Sequence, residues 1–272
     1  MKIGIFDSGF GGLDIFKNVK KELSEYDFVY LGDTARTPYG SRSQETIYKY
    51  TQQAVDFLFK KDCQLIIFAC NTASAKALRQ IQQDYLIKNY PDRRVLGVII
   101  PATEHAILLT KNKKIGIIGT ESTISSNAFY NELKKLDESV EVFQKACPLL
   151  VPIVESGEND SVILEKIIEK YLSYFLDLNI DTLILGCTHY GILKDKIEFV
   201  AKKIGLNISV ISEGQIVSKK LKNYLERHPE INQKLSKNKK IEFYTTDLTQ
   251  KFIEIGSILF GQKISAEKVN LE

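Results

Sequence analysis

The chain has 272 residues, 44% of them hydrophobic and 26% charged, which is enough for one large domain or two ordinary ones with a well-buried core. Its net charge of +3 comes from 37 basic and 34 acidic residues scattered along the sequence, so no field gathers nucleic acid or an anionic membrane surface. Met1 to Asp7 runs straight into a strand pattern without the apolar stretch of a signal peptide or membrane helix, and the expected address is the cytoplasm.

Short apolar runs rich in β-branched residues predict strands at Lys2 to Phe6, Phe28 to Leu31, Gln64 to Ala69, Val95 to Ile99, Lys114 to Ile118, Val140 to Phe143, Thr182 to Leu185, Ile208 to Ile211 and Ile241 to Tyr244. Helical periodicity fills most of the intervals. Ile47, Tyr50, Ala54, Phe57 and Leu58 share one face, as do Leu78, Ile81, Tyr85 and Leu86, and again Leu193, Ile197, Val200, Ala201 and Ile204. Strand then helix, repeated, predicts an α/β fold with mostly parallel sheets. Runs such as Leu65-Ile66-Ile67-Phe68 are apolar on both faces, as in a sheet covered by helices on two sides.

The pattern also repeats weakly. Ile3-Gly4-Ile5-Phe6-Asp7-Ser8 returns as Ile115-Gly116-Ile117-Ile118-Gly119-Thr120, and Leu65-Ile66-Ile67-Phe68-Ala69-Cys70-Asn71-Thr72 returns as Thr182-Leu183-Ile184-Leu185-Gly186-Cys187-Thr188-His189. Each half therefore ends a strand on a cysteine. No Pro/Gly/Ser-rich linker marks a boundary, and Arg93 to Pro101 and Ile211 to Gly214 are the expected crossing points.

Ligands of open α/β sheets bind beyond the carboxyl ends of the strands, where Cys70 and Cys187 both fall. The residues after each are expected to open a helix, whose free N–H groups and positive dipole end favour a thiolate. Cys63 and Cys147 read as packing, and no CxxC pair suggests disulfides. Two acid/base groups facing each other across a substrate suit a reaction in which one removes a proton from carbon and the other delivers one to the opposite face, that is, racemisation or epimerisation. Zinc is the rival use of Cys and His, but Cys187-Thr188-His189 is not a usual zinc spacing, and no metal is expected.

Three loops lie at strand ends. Asp7-Ser8-Gly9-Phe10-Gly11-Gly12-Leu13 offers backbone N–H groups to an anion but fails as a dinucleotide fingerprint, since Asp14 takes the last glycine position. Asp7 fits a helix cap and a catalytic acid equally well. Asp33 to Gly40 forms a polar loop that a simple turn would also explain, and Thr120 and Thr123 are either helix caps or hydroxyl donors to a carboxylate. Glu155 ends an apolar run that could raise its pKa, although surface exposure is the expectation from spacing. Lys237-Asn238-Lys239-Lys240 reads as a solvated turn.

Together, FDSGFGGL at Phe6, DTARTPYG at Asp33, CNTAS at Cys70, VPIVE at Val151 and LGCTHY at Leu185 resemble the motif set of the glutamate racemases, in order and spacing, over nearly the whole chain. That resemblance implies two similar lobes with the active site between them, the first discontinuous (1–98 plus 213–272) and the second 99–212. It implies Cys70 and Cys187 as bases, Asp7 as helper of Cys70, and Glu155 and His189 as helpers of Cys187. Substrate contacts are implied from Asp7, Ser8, Tyr39, Gly40, Asn71, Thr72, Thr120, Thr123, Thr188 and His189. No cofactor is expected, the partner is a small acid such as L- or D-glutamate supplied to peptidoglycan synthesis, and a homodimer is left open.

Two stretches depart from the pattern: Ser212-Glu213-Gly214 where an Asp-Ser-Gly order is usual, and Thr245-Thr246-Asp247-Leu248, which lacks a glycine. Both are expected to lie away from the cysteines. The competing readings are a racemase of aspartate or another small acid, a non-catalytic two-lobed acid-binding protein, and a thiol redox enzyme with cysteines close enough to bridge.

Overall fold

The computed structural model describes residues 1–271; Glu272, the last residue of the expected first lobe, lies outside them. The strands are β1 (Lys2–Asp7), β2 (Phe28–Gly32), β3 (Cys63–Phe68), β4 (Arg94–Gly97), β5 (Lys114–Gly119), β6 (Glu141–Ala146), β7 (Thr182–Gly186), β8 (Ser209–Ile211), β9 (Ile241–Thr245) and β10 (Glu267–Lys268). They form a six-stranded sheet, β10-β9-β2-β1-β3-β4, and a four-stranded sheet, β6-β5-β7-β8, with every pairing parallel. The order β2-β1-β3-β4 in one sheet is matched by β6-β5-β7-β8 in the other, so the weak sequence repeat corresponds to two similarly wound units. Among the described residues no helix is long and apolar enough to cross a membrane.

Alternation along the strands divides each core in two. Ile3, Ile5, Leu65 and Ile67 face helices Gly12–Glu22, Glu213–Arg227 and Gln250–Phe260, whereas Phe6, Val29, Leu31, Ile66 and Phe68 face helix Gln44–Lys60. In the second sheet Leu183 and Leu185 meet helices Val162–Leu172 and Lys194–Lys203, and Ile115, Ile117 and Ile184 meet helices Ile99–Leu109 and Ala128–Leu136. Full burial of each such side chain contributes about 1.5–3 kcal/mol. That is why strands apolar on both faces are found only between two helical layers.

Three expectations are refined. The helical face through Leu78 and Leu86 is interrupted: helix Asn71–Lys76 ends at Ala77, and Ile81–Tyr85 is a wide π turn that puts Ile81 and Leu86, five residues apart, on one buried side. β4 stops before Ile99 because Ile99–Leu109 is already helix, with Pro101 tolerated in its first turn. The basic turn at Lys237 to Lys240 is not merely solvated. Buried Asp27 accepts hydrogen bonds from the Asn238 and Lys240 backbone N–H groups at 3.0 and 2.8 Å and from Asn238 Nδ2 at 2.7 Å, clamping the chain as it enters β9.

Burial of Asp27 opposes its charge, but the donors from Lys240, Ser236 and Asn238 outweigh it and hold its carboxyl at about 2. This folded value lies below the unfolded one of roughly 3.9, so the stabilisation is complete above about pH 4 and is lost as pH falls toward 2. Asp27→Asn is expected to destabilise the protein by about 2 kcal/mol at pH 7 in urea unfolding. The gap from the parent should close between pH 4 and 2; a gap that persists there would rule out the charge as its origin.

Candidate active site

Cys70 follows β3 after one intervening residue, Ala69, and caps helix Asn71–Lys76, its Sγ accepting the Ala73 N–H at 3.5 Å and meeting Ser8 Oγ at 3.3 Å. Ser8 follows β1, which pairs with β3, so the sheet itself brings the two together. The expected thiolate at Cys70 is not supported by this environment. Burial, reinforced by Asp7, pushes its pKa up to about 12, more than Ser8 and the Ala73 N–H offset. This environment favours the protonated thiol.

Cys187 follows β7, the strand equivalent to β3, but what comes next is a 3-10 turn, Thr188–Leu193, and the sulfur caps nothing. The expected helix dipole is therefore missing on this side. Its place is taken by His189, whose Nδ1 lies 3.9 Å from Cys187 Sγ and whose Nε2 lies 3.3 Å from Glu155 Oε1. Burial disfavours a charged imidazole, yet Cys187, Glu155 and Asp7 together raise the His189 pKa to about 10. Neither His189 Nε2 nor Glu155 Oε1 gains an aligned hydrogen bond, so the contact is an ion pair rather than a hydrogen bond. Glu155 sits in helix Leu150–Ser156 with only 23% of its side chain exposed, which corrects its expected place on the surface.

Asp7, at the end of β1, is fully buried between the two cysteine neighbourhoods. Its Oδ2 accepts the Gly9 N–H at 2.9 Å, and Thr188 Oγ1 reaches its Oδ1 at 3.4 Å from the far sheet. Burial raises its pKa, opposed by His189, the Gly9 and Gly12 N–H groups and Thr188. The N-cap of the following helix is Gly11, so Asp7 braces the turn without capping the helix. A Cβ at Gly11 would stand 2.7 Å from Thr188 Oγ1 and 2.8 Å from His189 Nδ1; only glycine lets the two sheets' loops come this close.

On the other flank, Thr72, Thr120 and Thr123 form a hydroxyl cluster at 3.0 to 3.3 Å, with Thr120 also capping helix Glu121–Ser125. Capping and clustering are thus simultaneous for Thr120. A Cβ at Gly40 would sit 2.8 Å from Thr120 Cβ, so that loop too approaches by backbone. The Tyr39 hydroxyl donates to buried Asp33, which also takes Arg36 Nε at 2.7 Å and Thr246 Oγ1 at 2.8 Å. The phenol is therefore already committed, and any substrate contact from Tyr39 runs through its backbone. The departure at Thr246 and Asp247 secures this loop, with Asp247 N–H donating to Thr34 Oγ1 at 2.9 Å.

The other departure was misplaced by the sequence reading. Glu213 is not remote from the cysteines: its Oε1 accepts Asn71 Nδ2 at 2.6 Å, one residue from Cys70. The signal available was an acid placed two residues after the apolar pair Val210-Ile211, at a strand's carboxyl end. Cys63 and Cys147 are buried in the cores as expected, their thiols pushed up by desolvation, Cys63 to about 12. A cavity of about 590 Å³ lined by Leu78, Arg79, Glu104, Lys220 and Tyr224 lies elsewhere, and neither Cys70 nor Cys187 borders it.

Two similarly wound parallel units, each with a buried cysteine just beyond the end of an equivalent strand, match the α/β architecture of the racemases. The chain belongs to the Asp/Glu/hydantoin racemase family, whose model matches residues 3–218. Its place within that family is among the glutamate racemases. It is 39% identical to the glutamate racemase of Sulfurihydrogenibium sp. (strain YO3AOP1), over 100% of this chain and 98% of that one, and 42% identical to that of Chlorobaculum parvum over 96% and 93%. The crystal structure of glutamate racemase from Francisella tularensis in complex with D-glutamate superposes with a TM-score of 0.88 at 37% identity, covering 100% of this chain and 98% of that one.

Proposed function

We propose that the chain interconverts L- and D-glutamate without a cofactor, Cys70 and Cys187 each serving one face of the α-carbon, and that it does so in the cytoplasm to supply D-glutamate for peptidoglycan synthesis. The observation that carries this reading is the pairing of the two cysteines with opposite protonic environments: a thiol beside Ser8 and Asp7, and a sulfur beside a protonated His189. One sulfur takes the α-proton as its C–H bond breaks, and the other thiol gives its proton to the opposite face of the carbanion. The net change is inversion, with the protonation states of the two cysteines exchanged.

Ser8, Asn71, Thr72, Thr188, the Tyr39-Gly40 backbone and, with them, Thr120 and Thr123 are the donors we assign to the substrate. Preorganised donors at the α-carboxylate stabilise the carbanion as charge builds there, a contribution that removal of one such group typically reveals as a loss of about 10²–10³ in kcat. We assign Asp7 to Cys70 and the His189–Glu155 ion pair to Cys187. The lobes we draw are 1–98 with 213–271, and 99–212; the strand membership of the two sheets supports this division.

The test is incubation of the purified protein with L-glutamate, and separately L-aspartate, in D₂O without added cofactor, following optical rotation and α-proton exchange by NMR. Loss of rotation with deuterium uptake on glutamate alone is the expected result. Reaction of aspartate instead would move the substrate and leave the chemistry; absence of exchange on both would overturn the reading.

A further inference from the structure

Asn71 Nδ2 donates to Glu213 Oε1 at 2.6 Å, and both residues are almost wholly buried, at 2% and 4% exposure. The two remaining oxygens of the pair, Asn71 Oδ1 and Glu213 Oε2, are also buried and neither has a partner. An amide oxygen and a carboxylate oxygen are both acceptors, so these two atoms cannot satisfy one another while Glu213 is ionised. Leaving both buried acceptors unpaired is unfavourable, because each has given up its water without a replacement donor. A single proton removes the conflict: on Oε2 it turns the acid into a donor, and the Asn71 amide and the Glu213 carboxyl then close a ring of two hydrogen bonds.

We propose that Glu213 is a neutral carboxylic acid locked to Asn71 in a two-point acid–amide pair, and that it is the positioning residue that aims the free Asn71 N–H at the substrate. Burial favours the same state, raising the Glu213 carboxyl well above the usual carboxylate range against the Asn71 hydrogen bond alone. The mount is stiff. Glu213 opens helix Glu213–Arg227, and at the next residue, Gly214, a Cβ would stand 2.5 Å from Asn18 Nδ2 on the neighbouring helix, so the first turn is pressed against its support. Of the two Asn71 N–H bonds, one is then fixed on Glu213 and the other is left free for a ligand. The pair also fixes which end of the amide faces the ligand, a choice that an Asn side chain on its own does not make.

This inference rests on the reading of Asn71 as a substrate contact, and the experiment separates the two. Glu213→Gln presents the same shape, with an NH₂ donating to Asn71 Oδ1 and a carbonyl accepting from Nδ2; it is expected to keep kcat/KM within about threefold. Glu213→Leu leaves both ends of the amide unpaired and is expected to lower kcat/KM by roughly tenfold to a hundredfold, chiefly by raising KM. In the infrared, the difference between parent and Glu213→Gln at neutral pH should contain the carbonyl stretch of a protonated acid. A Gln variant that loses more than about tenfold in kcat/KM, or a carboxylate band in that difference, overturns the proposal, and both readouts stand even if the Leu variant fails to fold. Full activity in Asn71→Ala would instead remove Asn71 from the substrate contacts and the positioning role with it, while the infrared band would still decide the acid–amide pair. Loss in Asn71→Ala with full activity in Glu213→Leu overturns the inference and spares the contact.

Discussion

Cys70→Ala and Cys187→Ala, each made alone, are expected to abolish interconversion of the enantiomers, lowering kcat by about 10⁴-fold or more, with the fold retained. In the proposed mechanism the two thiols act in series on one carbon, so removing either would leave an intermediate that can be protonated only from the face on which it formed. The residual chemistry is therefore informative. A variant that keeps one cysteine can still exchange the α-proton of the enantiomer presented to that sulfur, giving deuterium uptake without loss of rotation. Burial and Asp7 push the Cys70 thiol up to about 12, and Cys187, Glu155 and Asp7 raise His189 so that a proton is favoured beside Cys187. The enantiomer whose proton faces Cys187 should therefore be the one exchanged by Cys70→Ala. NMR in D₂O on each enantiomer separately gives the answer, and full racemisation by either variant would end the two-base account. Both cysteines are buried beside the ends of interior strands, and the substitutions remove only one sulfur each, so circular dichroism should be unchanged.

Asp7→Asn gives the second-largest effect, a fall of roughly a hundredfold in kcat at neutral pH. The amide can still occupy the turn, but it cannot accept from Gly9 N–H with a full negative charge or exchange a proton with its surroundings. The sign of a second readout separates this role from a packing role. Asp7 raises the Cys70 pKa, so removing its charge should lower the Cys70 ionisation from about 12, visible as thiolate absorbance appearing at lower pH. Removal of Asp7 should also lower the His189 pKa, since Asp7 is one of the groups that raise it. A variant that is slow but leaves both titrations in place would make Asp7 a structural brace only.

The parallel strands and both cysteine positions were legible because they depend on local pattern: apolar runs between helices, each followed by a polar strand end. β10 was not, since Glu267–Lys268 is a two-residue strand in a polar segment and exists only because β9 offers it an edge. The environment of each sulfur was also beyond the pattern. Two similar sequences, Cys-Asn-Thr and Cys-Thr-His, were expected to give two similar helix caps, but one opens an α-helix and the other a 3-10 turn. The protonation of Cys70 depends on desolvation and on Asp7, a residue 63 positions away, and so appears only once the sheet is folded. Glu155 and Glu213 were misjudged for the same reason: an acid's exposure is set by what packs over it, which spacing along the chain does not record.

The matched order of β2-β1-β3-β4 and β6-β5-β7-β8 frames a site whose two halves answer to a thermodynamic constraint set by the substrate. Mirror-image substrates in water have equal free energy, so the equilibrium constant is one and kcat/KM must be the same in both directions for the parent and for every variant. The two halves of the site are nevertheless chemically unlike, Ser8 and Asp7 on one side, His189 and Glu155 on the other. Their difference can only be divided between kcat and KM, one enantiomer bound tightly and turned over slowly, its mirror image bound loosely and turned over fast. Chirality of the substrate thus imposes a balance that the duplicated scaffold alone does not.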